Sequence, residues 1–269
     1  MPPKRKARKS AAAIDLTEEA SPQEKKQKVA LTAIAKEFVC PITQELPIKP
    51  VTAEDGKIYE EKAIREWFSK KDGAPTSPST GAVIGTKLFP APQARNTIEA
   101  LVESGAIEGE IAEAWKEKLK TEALVKETRA KADGGDGYAM YRLGMWYQFG
   151  MRGLAEDTAQ ARAWYGRSAA VRYPKGMARF GECLTCGKGG SKNHALGLVM
   201  VSQAAALGSD LAAYLLGYAF SKGTWGLPKL PAQGRFWIKK VVDGECELKH
   251  LNDNDLAKAA GWLRELEDE

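Results

Sequence analysis

At 269 residues, with 43% hydrophobic side chains and seven Trp, the chain is long enough to fill two ordinary cores and leave a polar segment over. Four Cys and no secretory leader pattern argue against a disulfide scaffold and set the expectation of a reducing compartment inside the cell. The uncharged run over residues 195–209 is 15 residues, too short to cross a bilayer, so no membrane segment is expected.

Residues 1–30 hold eight Lys or Arg against four acids, which assigns nearly all of the formal excess of +5 to this segment. Few aromatic or β-branched residues leave it nothing to bury, and a disordered basic tail is expected. Lys4-Arg5-Lys6-Ala7-Arg8-Lys9 and, after a gap, Lys25-Lys26-Gln27-Lys28 resemble a two-part nuclear localisation signal, which implies importin as a partner and a nuclear or cytoplasmic location. Between the clusters, Ile14-Asp15-Leu16-Thr17-Glu18-Glu19 is similar to a SUMO-interacting motif, a segment that adds a strand to a sheet edge. Phosphate attraction is the other reading of a basic tail; without interleaved aromatics, nucleic acid is placed last among the partners.

Residues 31–105 form the first predicted domain. A loop around Cys40-Pro41-Ile42 leads to Pro50-Val51 and a hairpin, with Asp55-Gly56 as the expected two-residue turn. A helix over about 60–71 follows, with Ala63, Ile64, Trp67 and Phe68 at helical spacing, and Gly73 stops it. A second loop, residues 74–81, is stiffened by Pro75 and Pro78, and a last helix carries Ile98, Leu101 and Val102 on one face. This order, with Phe38, Cys40-Pro41-Ile42, Pro50-Val51, Asp55-Gly56, Tyr59, Ile64, Trp67, Ser77-Pro78, Thr80-Gly81, Leu88, Pro90, Arg95 and Ile98 in place, resembles the U-box, a zinc-free relative of the RING domain. The ligand count agrees. Two tetrahedral zinc sites need about eight Cys or His, and residues 38–102 hold one Cys and no His. Hydrogen bonds and ion pairs must hold the two loops, and the candidates are Glu45, Asp55, Glu60, Glu61, Arg65, Ser77 and Thr80.

Residues 106–135 read as a linker helix, rich in Glu, Ala, Lys and Leu, with Ile111, Ala114, Trp115, Leu119 and Leu124 as its stripe. From 136 to 269 the chain repeats with a period near 36. Leu143-Gly144, Phe180-Gly181 and Leu216-Gly217 recur, as do Trp164, Met200 and Phe236, and Ala169, Ala205 and Val241. Asp157 and Asn193 are placed as N-caps, and Pro231 opens the corresponding helix of the third unit. Glycine inside a helix costs about 1 kcal/mol against Ala, so close helix approach is the expected reason for Gly144, Gly181 and Gly217. The best-preserved stretch, residues 139–170, resembles the Sel-one-like repeat, a relative of the tetratricopeptide repeat; residues 254–266 would close the stack. The fold class is therefore an α+β U-box followed by an all-α helical solenoid. Cys183-x-x-Cys186 near His194 invites a zinc reading, but a fourth ligand is missing and buried structural thiols are preferred. No metal and no cofactor is expected.

The U-box resemblance implies a ubiquitin-protein ligase that recruits a ubiquitin-charged conjugating enzyme without forming a covalent intermediate, so no catalytic residue is expected. The positions resembling the family's conjugating-enzyme contacts are Ile42, Trp67 and Pro78, with Phe68 the competitor of Trp67. The repeats imply binding of a protein substrate or adaptor. The rival reading is a non-enzymatic scaffold that keeps the U-box fold. Two departures from the family pattern are Gly81, where some ligases carry a polar or cationic residue, and Ala91, where Asn is usual.

Overall fold

The structure, a computed structural model, describes residues 30–267 apart from 32, 71 and 72. The two basic clusters and the Ile14-Asp15-Leu16 motif lie outside the described residues. Contacts divide the chain into two compact units, at Leu119 and Lys120.

In the first unit, three short strands, β1 (Pro50–Thr52), β2 (Ile58–Glu60) and β3 (Phe89–Pro90), form an antiparallel sheet in the order β2-β1-β3. Val51 faces Tyr59 on one side and Pro90 on the other. The hairpin turn differs from the expectation. Gly56 N–H donates to Ala53 O at 2.9 Å and Ala53 N–H to Lys57 O at 3.1 Å, so Glu54 and Asp55 are the central residues. Gly56, at φ +74°, takes the extra left-handed position that lets a right-twisted turn rejoin the strands.

Helix α1 (Glu61–Ser69) buries Ile64 completely and sets Trp67 and Phe68 against the same cluster as Cys40, Val51, Ala53 and Tyr59. Helix α2 (Pro92–Glu103) buries Ile98, Leu101 and Val102 in a second cluster with Leu46 and Ile107. Helix α3 (Glu110–Asp133) is more than a linker. Its Ala112 and Trp115 are buried in this second cluster, whereas Ala132, Leu124 and Val125 belong to an apolar cluster of the second unit.

The second unit is helical: α4 (Gly137–Gln148), α5 (Thr158–Ala170), α6 (Pro174–Cys186), α7 (His194–Ala206), α8 (Asp210–Lys222), α9 (Pro231–Val242) and α10 (Asp253–Glu267). Asp157 accepts from Gln160 N–H at 2.9 Å and Asn193 from Leu196 N–H at 3.0 Å, while Pro231 opens α9, as the sequence indicated. The helix-interior glycines mark close approaches. A Cβ on Gly144 would stand 2.5 Å from the Tyr165 ring, one on Gly181 2.5 Å from Val201, and one on Gly217 2.5 Å from Ile238.

Those partners correct the register of the third repeat. Counted from the N-cap residues Asp157, Asn193 and Leu230, the counterparts are Trp164, Met200 and Trp237, not Phe236. The loop before α9 carries one residue more than the loop before α7, which a fixed period of 36 cannot register. Trp237 packs into the core while Phe236 is 51% exposed. By the same count Val241 matches Ala204 and Ser168, all three of them buried.

The segment after α9 turns back on the stack. Leu248 N–H donates to Gly208 O at 3.0 Å, and buried Asp210 accepts from the amides of Leu211, His250 and Leu251.

Candidate functional site

The first unit presents two loops. The first is tight: Cys40 N–H donates to Glu45 O and Gln44 N–H to Cys40 O, both at 2.9 Å, with Gln44 at φ +58° and its side-chain amide on Pro41 O at 2.8 Å. Ile42 sits on this turn, half-buried against the Cys40 cluster. Four side chains fix the base of the loop. The Glu60 carboxylate accepts from Ile48 N–H at 2.7 Å and Lys49 N–H at 3.2 Å, which is why it places no side-chain cap on α1 although it is the N-cap residue. Arg95 donates to Ile48 O at 3.0 Å, the buried Trp115 indole to Pro47 O at 3.2 Å, and Lys118 pairs with Glu45.

The second loop is a small hairpin of its own, with Thr76 bridging Val83, Ser77 N–H donating to Ala82 O at 2.8 Å, and Gly81 N–H to Ser77 O at 2.9 Å. Its buried Ser77 hydroxyl accepts from the amides of Ser79 and Thr80 and donates to Asp55 at 2.5 Å. The same Asp55 oxygen accepts from the Tyr59 hydroxyl at 2.7 Å, and the other accepts from Lys57 N–H at 2.9 Å. Burial pushes the Asp55 carboxyl up, but these bonds from Ser77, Lys57 and Tyr59 outweigh it and hold the group below its usual value. Burial and then the hydrogen bond to Asp55 push Tyr59 up to about 12. Asp55 therefore joins the sheet hairpin to the second loop, and the Trp67 indole adds a bond to Thr76 O at 2.8 Å.

Of the seven staple candidates, Asp55, Glu60 and Ser77 make these links, Glu45 makes one through Lys118, and Thr80 accepts within its own loop from Ala82 N–H at 3.3 Å. Glu61 and Arg65 do not take part. They pair with each other along α1 at 2.8 Å, where both are exposed enough for the contact to contribute little. Tyr59, Trp67, Arg95, Trp115 and Lys118 are the staple residues the sequence reading missed; each acts through a bond to a group nine or more positions away or to a carboxylate in a turn.

Ile42, Trp67 and Pro78 are all half-buried, and so is Phe68. Exposure therefore does not separate Trp67 from Phe68, although the indole bond engages Trp67 with the second loop. Gly81, at φ +75° and exposed, closes that loop in a conformation that favours glycine. Ala91 is the N-cap of α2 and offers its helix no side-chain acceptor. In the second unit Cys183 is buried, its thiol pushed up to about 11 by burial, while Cys186 is exposed. Among the described residues no group of three or more His, Cys, Asp or Glu side chains is placed to hold a metal ion, and no helix is long and apolar enough to cross a membrane.

Two loops clipped to a small sheet by carboxylate, hydroxyl and indole bonds are the arrangement of the U-box class. The family model for the U-box domain matches residues 34–106, and the model for the Sel1 repeat matches 137–170, 174–209 and 210–241. The chain carries a U-box domain followed by Sel1 repeats. Among curated proteins, "WD repeat, SAM and U-box domain-containing protein 1" of Homo sapiens is 48% identical over 64 residues, 24% of this chain and 13% of its own. "Putative E3 ubiquitin-protein ligase LIN-1" of Lotus japonicus is 44% identical over 55 residues, 20% of this chain and 4% of its own. The chain thus matches only a small part of the length of these relatives. A solved Sel1 repeat protein from Oxalobacter formigenes is 26% identical, covers 44% of this chain and 89% of its own, and superposes with a TM-score of 0.40.

Proposed function

We propose that this protein is a U-box-type ubiquitin-protein ligase whose first unit recruits a ubiquitin-charged conjugating enzyme and whose repeats bind the protein to be modified. The observation that carries the reading is the polar clip, in which Asp55 and Trp67 hold the second loop to the sheet hairpin and to α1 while Glu60 and Arg95 hold the first. Fixed loops give a partner a pre-ordered surface, so little entropy is lost on docking. Ile42, Trp67 and Pro78 are the residues assigned to that contact. The ligase forms no bond to ubiquitin. Its contribution is to hold the charged enzyme and a substrate lysine together in a reactive orientation, and tethering raises the local substrate concentration.

The test is autoubiquitylation with a panel of conjugating enzymes. Chains form with wild type and are lost in Ile42→Ala and Pro78→Ala, whose circular dichroism stays native. Silence of the wild type with every conjugating enzyme sinks the ligase reading in favour of a scaffold, the reading that Gly81, with no side chain to offer at the polar position, supports. Nuclear import through residues 4–28 and SUMO binding through Ile14-Asp15-Leu16 belong to the same proposal. Imaging of a variant with Lys4, Arg5 and Lys6 replaced by Ala, and titration of SUMO against Ile14→Ala, test them.

A further inference from the structure

The basic excess of this chain is not confined to its first thirty residues. Residues 137–242 hold fourteen Lys or Arg against four acids, a net of +10, while residues 243–269 hold three against nine. Three of the four acids are engaged within the fold. Asp157 caps α5, Glu182 lies between Arg179 at 2.9 Å and Lys188 at 2.6 Å, and Asp210 is buried on three backbone amides. Only Glu156 has no such role among the described residues. Against it, Arg152, Lys192 and Lys222 are exposed and make no ion pair among the described residues.

The topology gathers these charges at one end of the helices. The starts of α4, α6 and α8 lie at the opposite end: a Cβ on Gly137 would meet Tyr173, and His250, bound to Ser209 and Asp210, lies in the field of Lys175. Each of these helices is 12 or 13 residues, so its far end stands about 20 Å away. There the loop after α6 touches the start of α5, where Arg162 donates to Ser191 O at 2.9 Å. The three loops that follow α4, α6 and α8 thus share one edge; they bring Arg152, Lys188, Lys192 and Lys229 to it, and the last turn of α8 brings Lys222.

Apolar groups stand among the charges. Phe149 is 56% exposed, Met151 39% and Leu230 41%. Between the α4–α5 loop and the end of α6 is a recess of about 400 Å³ lined by Phe149, Thr158, Ala161, Cys183 and Lys188, with Glu156 at its wall. That volume is within the range of sites that bury a compact ligand group.

We infer that this loop edge of the repeats docks an acidic protein segment, with one bulky apolar side chain of that segment seated in the Phe149–Lys188 recess and its carboxylates on Arg152, Lys192 and Lys222. Charge complementarity names the sign of the partner. The recess favours a peptide over a nucleic acid, since a single-stranded nucleic acid calls for a run of stacking aromatics along the basic track. The inference deepens the ligase reading by giving the chemistry of what the repeats bind.

The experiment is fluorescence anisotropy on the full chain, with a labelled glutamate-rich peptide carrying one central Leu as probe. An otherwise identical peptide with Ala in place of Leu and a labelled single-stranded oligodeoxynucleotide are the other arms. The triple variant Arg152→Glu, Lys192→Glu, Lys222→Glu weakens peptide binding about tenfold or more, and Leu to Ala in the probe weakens it by about the same factor. Glu156→Lys, a change of opposite sign, tightens it about threefold, a gain that a misfolded variant could not give. Equal binding by the triple variant and wild type overturns the inference. So does binding of the oligonucleotide in preference to the peptide with the same loss in the triple variant, which gives the edge to nucleic acid. The ligase reading fails on a different measurement, a wild type that discharges no charged conjugating enzyme, and that result leaves the titration standing.

Discussion

The two units solve the same problem by opposite means. The U-box domain has two loops with few apolar residues to pin them, and it holds them with polar groups, above all one Asp55 carboxylate shared by Ser77, Tyr59 and Lys57. In the repeats most residues lie in helices, with the loops at their ends. These helices are held by the absence of atoms at Gly144, Gly181 and Gly217, which admit Tyr165, Val201 and Ile238 into the grooves of the preceding helices. A loop must be tied at points because its backbone cannot pack, whereas a helix has already satisfied its backbone and gains most from area in contact. The first unit should therefore be sensitive to the loss of single polar atoms and the second to the addition of single carbons.

The largest expected effect is in the second unit. Gly181→Val sets its Cβ 2.5 Å from Val201 and 2.8 Å from the carbonyl oxygen of Gly197, and a backbone oxygen cannot move aside as a flexible side chain can. We expect a loss of roughly 3 kcal/mol, seen as early exchange of amides in α6 and α7 by hydrogen-exchange mass spectrometry while those of the U-box hold. Protection of α6 equal to wild type would contradict the close-packing account.

Acid separates the units next. The His250 side chain is almost wholly covered, and this burial, with the Lys175 and Arg179 charges against an opposing Asp210, pushes its ring down to about 4 from 6.5. The unfolded chain then binds more protons than the folded one between these values, so this stabilisation is complete above about pH 6.5 and fades as pH falls toward about 4. The loss by about pH 4.5 is on the order of 2 kcal/mol, since each pH step between the two values is worth at most about 1.36 kcal/mol and partial access to water trims the sum. Asp55 responds elsewhere: its value is below 3.8, so its contribution holds above 3.8 and is lost only as pH falls through the lowered value. Near pH 4.5 the repeats should open before the U-box in the same exchange experiment, and His250→Gln should flatten the pH dependence of the repeats alone. An equal slope in that variant would remove His250 as its source.

Asp55→Ala is the matching cut in the first unit. It leaves the Ser77 and Tyr59 hydroxyls without their acceptor, at a cost of about 2 kcal/mol, and frees the second loop. Thermal melting of the U-box transition should fall, and transfer activity should fall further than the lost stability explains, because the loop carrying Pro78 is no longer fixed.

What the sequence disclosed follows the same division. Caps and helix glycines are local signals, and Asp157, Asn193, Pro231 and Gly181 could be placed from spacing. The absence of zinc ligands showed that a polar staple was needed, and Asp55, Glu60 and Ser77 were legible because carboxylates and hydroxyls have few other uses between two loops. Their partners were not. Trp115 meets Pro47 O from 68 residues away, and nothing in a stripe of a Lys- and Glu-rich helix tells a core indole from a surface one. Phe236 misled because a one-residue loop extension shifts helical phase without changing composition. The charge of the repeats was in plain counts, yet it becomes a surface only once the topology brings three loops to one edge.

The smallest prediction tests whether the polar staple is complete. Ala91 precedes α2 with φ −118° and ψ 66°, and no side chain accepts from the first free amides of that helix. Pro92 at the first position has no amide to satisfy, which leaves Gln93 and Ala94 as the donors an N-cap oxygen reaches. Ala94 N–H already leans on Ala91 O at 3.1 Å, so part of the need is met by the backbone and the gain from a side chain is limited. Ala91→Asn should stabilise the U-box by about 1 kcal/mol, raise its melting temperature by roughly 4–8 °C, and slow exchange at Gln93. Since Ala91 N–H also donates to Pro50 O at 2.9 Å, a firmer cap should firm the edge of β1 as well. A variant that melts at the wild-type temperature would mean that Pro50 and Ala94 already fix this corner, and that the Asn usual in the family serves something other than the fold.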